Sequence, residues 1–518
     1  MTIRPAEVRR CERCGQPISR YSREGLCGAC SRSGHSALSE PPESLGHSDG
    51  PVSADDAGAV LRQWRLASHR TQTEIADLLG MTQQHLSFIE KGKRHLSIEQ
   101  RRLIVSLCGI PAEDLGLSPA RHASAISEDT EVVIASQLRW RAERRWLNQH
   151  RSQLARLAVG LYPADQRVGR SPLIAKQGWI PEHPVPLRSF GVTLDHEDRY
   201  PVTIDGSEPA TRAMRPLRTA DEFFDSYTAA VWRLDPPRLF ENRPSYRLLA
   251  ASLPDRRLGF GMACYFDKLD VSEALGHEIA ARCMARSGGM PEAADVLHGE
   301  LPFRDLIGDP FDTHRRAVIP AVTTLTIRLR RYPAEPSFLL HWRDPAKVAT
   351  AAGIYDVVPA GEFQPSSVEV WDRDNDFDLW KNVVREYSEE LLGRPEHDGT
   401  RSKKIDYASW DLYQALEAAQ AAGTMTVHLL GIGLDSLTLA GTILTVAVID
   451  DDVFLREFGK SVRYNEEGEI VALGDGRPVD GLPFTRPVVD RMLTAEPMAS
   501  PGAACLSLAW HHRDLLIN

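Results

Sequence analysis

Four cysteines near the start of the sequence have the spacing of a metal site. They form two Cys-x2-Cys pairs separated by twelve residues: Cys11, Cys14, Cys27 and Cys30. Two residues between paired thiols let both sulfurs reach one ion, and the second pair completes the tetrahedron that Zn²⁺ prefers. A segment this short cannot bury a core, so the metal would supply its folding free energy. We predict a structural zinc ribbon over residues 1–34. Two redox-active pairs are the weaker alternative, because no βαβ pattern surrounds them.

Three glutamates on one predicted helix form a second candidate site. Glu386, Glu389 and Glu390 stand at positions i, i+3 and i+4, so an α-helix places them on one face. Carboxylates this close repel one another unless a hard cation or open water offsets the charge. Mg²⁺ bridged to a pyrophosphate would satisfy the cluster and make the site hydrolytic. The alternative is an amphipathic helix with a solvated acidic face.

A third set of candidate residues lies on two short predicted helices joined by a glycine turn. Thr71 and Glu74 have the spacing of a capping box, and Thr82 is placed to cap the next helix. Two such helices are the unit with which many proteins read DNA. The residues expected to face inward are Val60, Leu61, Trp64 and Leu66 on a preceding helix, Ile75, Ala76 and Leu79, then Leu86 and Ile89.

The second of these helices would enter the major groove with its N-terminal residues on base edges. A glutamine amide can pair with adenine N6 and N7, and Phe88 could touch a thymine methyl. Gln72 is placed for phosphate at a helix N-terminus, and nearby basic residues would bind backbone charge. The candidate DNA-binding residues are Gln72, Gln83, Gln84, His85, Phe88, Lys91, Lys93 and Arg94.

This stretch resembles the Cro/C1 (XRE) family of phage-repressor-like helix-turn-helix domains. Thr-Gln-x-Glu-Ile-Ala, Leu-Gly-Met-Thr-Gln-Gln and Ile-Glu-Lys-Gly-Lys occur in the family's order and spacing. Phe88 departs from the family, where a polar base contact is common at this position. The resemblance implies an all-α domain over residues 55–118 that binds double-stranded DNA, and a homodimer on inverted repeats. A domain that keeps this fold but binds protein is the alternative.

The glutamate-bearing helix resembles the second half of the Nudix box, Arg-Glu-x-x-Glu-Glu-x-x-Gly, ending at Gly393. The glutamate and glycine that precede this core in the family fall at Phe377 and Trp371. The resemblance implies a Nudix-like α/β/α sandwich over residues 321–518, with Mg²⁺ at the helix if hydrolysis is retained. The catalytic set would then be Arg385, Glu386, Glu389 and Glu390. Because the first half is missing, a pocket for a nucleotide-derived metabolite without hydrolysis is preferred.

The remaining segments must connect and position these sites. Residues 35–54 are rich in Ser, Pro, Gly and acid and predict a flexible linker. Residues 119–162 predict an arginine-rich helix, and residues 163–320 an α/β region of unknown role. Alternating and apolar runs predict strands near residues 246–250, 258–265, 323–329, 337–342, 353–361, 426–430 and 443–449, and a helix over 271–284.

The arginine-rich helix has two interpretations. Trp140 and Trp146, with several leucines, need burial and favour a dimer or interdomain seam with the arginines solvated. Alternatively, the arginines could add phosphate contacts. We favour the seam.

The length of 518 residues suggests about three domains. Together with the motifs and resemblances above, it predicts a multidomain chain with a small zinc ribbon, an all-α helix-turn-helix domain and a large α/β body. The net charge is −10, yet residues 1–158 carry 22 Lys and Arg against 18 Asp and Glu, so the front of the chain is the part suited to phosphate. No apolar run approaches the roughly 18 residues of a membrane span. The first residues lack the apolar region of a secretory signal, and the cysteines are sparse, so we expect a cytoplasmic, nucleoid-associated protein.

These observations favour a sequence-specific transcriptional regulator whose C-terminal body senses a small, nucleotide-derived effector. The first alternative is a Mg²⁺-dependent Nudix-type pyrophosphohydrolase tethered to DNA. The second is an adaptor that recruits proteins and contacts DNA only secondarily.

Overall fold

The fold of the 518-residue chain is given by a computed structural model. The structure describes residues 57–68, 70–79, 81–108, 110–111, 113–117, 128–197, 201–237, 240–285, 301–330, 335–343, 353–395, 403–459, 468–471 and 480–517.

Helices and strands are numbered in chain order over these residues. The helices are α1 Ala57–Ala67, α2 Gln72–Leu78, α3 Gln83–Glu90, α4 Ile98–Cys108, α5 Glu128–Ala158, α6 Tyr227–Leu234, α7 Tyr265–Met284, α8 Pro302–Ile307, α9 Asp372–Asn375, α10 Leu379–Glu386, α11 Asp411–Ala421, α12 Asp451–Phe458, α13 Arg486–Thr494, α14 Ser500–His511 and α15 Arg513–Leu516. The strands are β1 Leu173–Ile174, β2 Val185–Pro186, β3 Gly191–Leu194, β4 Pro244–Ser252, β5 Arg257–Cys264, β6 Pro320–Leu329, β7 Ser337–Phe338, β8 Leu340–Arg343, β9 Ile354–Val357, β10 Ala360–Glu362, β11 Met425–Asp435, β12 Gly441–Asp450, β13 Gly468–Val471 and β14 Leu482–Pro483.

Helices α1 to α4 form an all-helical region with its own apolar core. The capping box of α2 is confirmed: the Thr71 N–H donates to Glu74 Oε2 at 2.7 Å, and the Glu74 N–H donates to Thr71 Oγ1 at 3.2 Å. The predicted inward residues of α2 and α3 are buried; they are Ile75, Ala76, Leu79, Leu86 and Ile89. Leu66 was wrongly placed on the apolar stripe of α1, since its side chain is 55% exposed.

The long helix α5 confirms the predicted arginine-rich helix and packs against the α/β body, mainly on α7. Trp140 is buried and its indole N–H donates to the carbonyl of Met214 at 3.0 Å. Several arginines of this helix are paired rather than solvated, which corrects the prediction for them, whereas Arg139 is exposed as expected. Arg144 bonds Asp235 at 3.1 Å, and Arg151 bonds Glu273 at 2.8 Å. The helix is therefore a seam within one chain.

The largest sheet of the body combines distant parts of the sequence. Its described strands follow the order β1-β11-β12-β6-β7-β14, with β10 also paired to β6 and β2 to β11. Strands β6 and β12 run parallel, from the pair Pro320–Gly441 to the pair Leu329–Asp450. Two three-stranded sheets, β13-β8-β9 and β3-β5-β4, complete the described strands. Because β1 and β2 belong to this sheet, the segments 163–320 and 321–518 share it.

Two of the predicted strands are divided in the structure. The run 337–342 forms β7 and β8, which join different sheets on either side of Leu339. The run 353–361 likewise forms β9 and part of β10, separated by Val358 and Pro359. The continuous apolar run 337–342 does not reveal the change of sheet, because most residues of β7 and β8 are buried.

One apolar core extends through the whole body. It runs from Trp140 on α5 to Leu516 on α15 and contains the buried residues of β6, β11 and β12. Helix α14 packs on these three strands. Among the described helices, none is long and apolar enough to cross a membrane. The chain is thus an all-helical region joined to a large α/β body.

Candidate functional site

Helix α3 presents the residues expected to read base edges. Thr82 caps it, because the His85 N–H donates to Thr82 Oγ1 at 3.1 Å. The side chains of Gln83 and Gln84 are exposed in the first turn, while Leu86 and Ile89 anchor the opposite face. A helix held from one side and polar on the other can enter a major groove with its first turn leading.

His85 is half-buried and has charged neighbours beyond its own helix. Burial lowers the pKa of its imidazole, the positive charges of Arg94 and Arg141 lower it further, and Asp235 opposes them. Arg141 and Asp235 belong to the seam of the body, so this residue of α3 lies within electrostatic reach of that seam. The lowered pKa favours the neutral imidazole at neutral pH, in which one ring nitrogen donates and the other accepts.

The loop after α3 carries the basic residues expected to bind phosphate. Lys91, Lys93 and Arg94 are all exposed. The loop is held by the carbonyl of Phe88, which accepts from the Lys93 N–H at 2.8 Å and from the Arg94 N–H at 3.3 Å. The ring of Phe88 is half-buried. Three exposed cations in the loop that follows α3 suit contacts to a duplex backbone.

A buried ion pair that the sequence reasoning missed fixes α1 to α3. Arg65 Nε and Nη2 donate to the two carboxylate oxygens of Glu90 at 2.6 and 2.9 Å. These hydrogen bonds raise the pKa of Arg65. Gln72, expected to contact phosphate, instead donates its amide Nε2 to Glu90 Oε2 at 2.7 Å. The sequence could have indicated that Arg65 is buried, because it continues the i, i+4 stripe of Ala57 and Leu61 on the buried face of α1.

A glycine allows the close approach of α1 to α3. A Cβ atom added at Gly58 would lie 2.2 Å from the carbonyl oxygen of Ile89. Only a residue without Cβ fits so close to a neighbouring backbone. Together with the Arg65–Glu90 pair, this contact sets the position of α3.

The acidic helix of the body faces inward more than the sequence predicted. Glu390 is only 6% exposed, and its Oε2 accepts from the Ala360 N–H at 3.3 Å. A Cβ atom at Gly361 would lie 2.1 Å from the carboxyl carbon of Glu386. Arg385 is buried and donates to the carbonyl of Gln364 at 2.7 Å. Three members of the predicted catalytic set, Arg385, Glu386 and Glu390, thus lie against β10 and its flanking residues. Glu389 is half-buried, and α10 continues into a π-helical turn at Tyr387–Leu391.

The contacts of Glu386 and Glu390 with β10 affect how these carboxylates could bind the expected Mg²⁺. In the described part of the chain, no group of three or more His, Cys, Asp and Glu side chains is placed to hold a metal ion. Carboxylates that accept from backbone amides have fewer lone pairs left for a cation. The cysteines predicted to bind Zn²⁺, at 11, 14, 27 and 30, lie outside the described residues.

Comparison with known proteins agrees with the geometry of the all-helical region. No curated protein matches the chain. Residues 61–115 match the family model of the helix-turn-helix, a segment that contains α2, α3 and α4 and most of α1. The match supports an XRE-type helix-turn-helix at these residues and a DNA-binding regulator as the class of protein.

Proposed function

We propose that the chain is a sequence-specific double-stranded-DNA-binding transcriptional regulator whose α/β body senses a small, nucleotide-derived ligand and that acts as a homodimer. The observation that carries the proposal is the first turn of α3. Its two glutamine amides are exposed, and three exposed cations lie in the loop that follows the helix, all within the segment that matches the helix-turn-helix model.

The proposal assigns separate roles to these side chains. Gln83 and Gln84 read base edges, whereas Lys91, Lys93 and Arg94 neutralise phosphates. Phosphate contacts set the register and the salt dependence, and base contacts set the preference for sequence. The buried Arg65–Glu90 pair positions α3 without contacting DNA.

Helix α5 supports a role for the body in regulation. It follows the all-helical region in the chain and is bonded along its length to the body, from Gln137 to Arg156. A ligand that favours one arrangement of the body would shift the population of DNA-binding states only if its affinity differs between them.

The experiment that tests the function is a binding titration of the full chain. Duplexes captured genome-wide with the protein are compared with scrambled duplexes of equal length and composition by fluorescence anisotropy at two salt concentrations. We expect tighter binding to the captured duplex and weaker binding to both at higher salt. Equal affinity for captured and scrambled DNA would refute sequence-specific regulation.

A further inference from the structure

A cavity of about 340 Å³ lies where α5 ends. Its lining is apolar at Leu161, Leu301, Ile307 and Leu439, and polar at Tyr162 and Arg304. This volume lies at the lower end of the range of small-molecule sites.

The two polar side chains are joined by a hydrogen bond that leaves the Tyr162 hydroxyl proton available. Arg304 is 8% exposed, and its Nη1 donates to the hydroxyl oxygen of Tyr162 at 2.6 Å. A hydroxyl that accepts from a guanidinium still has its own proton to donate. In the described part of the chain no acceptor takes that proton, and Tyr162 is half-exposed at the cavity wall.

The electrostatics behind this wall favour a negative group. Arg316 is 4% exposed, its Nη2 donates to the carbonyl of Pro310 at 2.9 Å, and burial lowers its pKa to about 10. Among the described residues, neither Arg304 nor Arg316 forms an ion pair with a carboxylate. The buried carboxylate of Glu278 offsets part of the charge of Arg304. Arg316 has no such buried partner among the described residues, so an added anion is stabilised beside it.

Of the nearby carboxylates, Glu278 is buried beside Arg304, and the other two are in contact with solvent. Glu278 accepts from the backbone N–H groups of Phe303 and Arg304 at 2.7 and 3.1 Å. Asp305 lines the cavity but is exposed, and Asp312 is half-exposed. Water screens exposed charges far more than it screens the two buried guanidinium groups.

We propose that this cavity binds a small amphipathic molecule with one anionic group, a carboxylate or a phosphate monoester, which accepts the hydroxyl proton of Tyr162 while its apolar part lies against Leu161, Ile307 and Leu439. The ligand chemistry follows from the cavity itself. That the ligand acts as an effector rests on the proposed function.

The position of the cavity gives a path from ligand to α5. Arg304 Nη1 also donates to the carbonyl of Ser436 at 3.0 Å, and the Ser436 hydroxyl donates to the carbonyl of Ala155 on α5 at 2.9 Å. Leu161 and Tyr162 lie three and four residues beyond the end of that helix. A ligand bonded to Tyr162 therefore contacts the end of the element that connects the body to the all-helical region.

Calorimetry with the full chain in the absence of DNA tests the site. The probes are octanoate and octyl phosphate, with octan-1-ol and octylamine as probes of equal tail length without the negative charge. The variants are Tyr162→Phe, which removes the donor, and Leu161→Trp, which fills the cavity from a half-buried position. Tyr413→Phe on α11 is the matched control, and circular dichroism verifies that each variant folds.

We expect at least one anionic probe to bind at a single site, about tenfold or more weaker in Tyr162→Phe because a hydrogen bond to a charged group is lost. Leu161→Trp abolishes binding and Tyr413→Phe leaves it unchanged. The anion that binds identifies the head group as carboxylate or phosphate.

Absence of binding by both anions, equal binding of octan-1-ol, or unchanged affinity in both cavity variants would overturn the site. A separate DNA titration distinguishes this failure from that of the regulator, because the calorimetry contains no DNA.

Discussion

Glu90 connects three elements of the DNA-binding region through one carboxylate. It accepts from Arg65 on α1 and from Gln72 on α2, while itself lying at the end of α3. Its side chain is 2% exposed, so the pair with Arg65 is removed from water. The orientation of α3 therefore depends on a buried charge.

Glu90→Gln removes that charge and leaves the Arg65 guanidinium buried without a counter-ion. Breaking a buried pair from one side costs about 3–5 kcal/mol. We expect amide hydrogen exchange in α1 to α3 to accelerate accordingly. Glu241→Gln is the matched control, since the Glu241 carboxylate is 58% exposed and its pair with Arg243 contributes about 1 kcal/mol or less. Equal exchange rates in the two variants would show that the Arg65–Glu90 pair does not hold the helices.

His85 predicts a pH dependence of DNA binding. Burial and the charges of Arg94 and Arg141 lower its pKa below the ordinary value of 6.5, so the free protein carries a neutral imidazole at neutral pH. Phosphates near α3 favour the protonated ring, so DNA binding takes up a proton and affinity rises as the pH falls through this range. Anisotropy titrations from about pH 8 to about pH 5.5 measure it. His85→Gln is expected to flatten this profile, and a profile that keeps its slope in the variant would contradict the assignment.

For single residues, the sequence predicts those contacts that depend only on neighbouring positions in the chain. The caps at Thr71 and Thr82 follow from residue type and spacing, and both are present. The Arg65–Glu90 pair joins residues 25 positions apart, and no local pattern specifies such a partner. Glu390 shows the same limit, because its burial against Ala360 depends on where β10 lies.

At the scale of elements, Gly58 is a sharp test of how α1 and α3 pack. The methyl group of Gly58→Ala would lie 2.2 Å from the Ile89 carbonyl oxygen, so the two helices must move apart. We expect DNA affinity and the thermal stability of the region to fall, although alanine favours a helix over glycine by about 1 kcal/mol.

The control is Gly191→Ala on β3, where the nearest atom to the added methyl group is the Arg256 carbonyl oxygen at 3.9 Å. That variant should retain its DNA affinity. If Gly58→Ala stabilises the protein and binds DNA normally, the close approach of α1 to α3 is wrong.

The sequence predicts that a helix forms at α5, but it does not predict which residues pack against that helix. The seam helix α5 follows from its tryptophans and leucines. Its arginines look solvated in sequence because their partners, Asp235 and Glu273, lie about a hundred residues further along the chain. A paired arginine and a solvated arginine leave the same local pattern.

At the scale of the whole molecule, strand pairing joins segments that no sequence window contains. Leu173 and Ile174 of β1 pair with Asp435 and Leu434 of β11. A strand of two residues is too short to show alternation of apolar and polar residues, so periodicity cannot predict it. The α/β class of the body was predictable from its strand and helix patterns, but the sheet shared by residues 163–320 and 321–518 was not.

The N-terminal cysteines give a prediction for the intact chain. Purified protein is expected to contain about one zinc ion per chain by mass spectrometry. Cys14→Ser removes one of four ligands and should lose the metal, whereas Cys264→Ser replaces an exposed free cysteine and should retain it. Zinc retained in Cys14→Ser, or absent from protein purified with zinc present, would contradict a ribbon over residues 1–34.

The central claim is that the first turn of α3 reads bases while the following loop binds phosphate. Its most direct test compares Gln84→Ala with Arg94→Ala on a captured duplex and on a scrambled duplex. Gln84→Ala should cost about 1–3 kcal/mol on the captured duplex and little on the scrambled one, whereas Arg94→Ala should weaken both alike. Equal losses on both duplexes for Gln84→Ala would contradict the assignment of α3 as the reading helix.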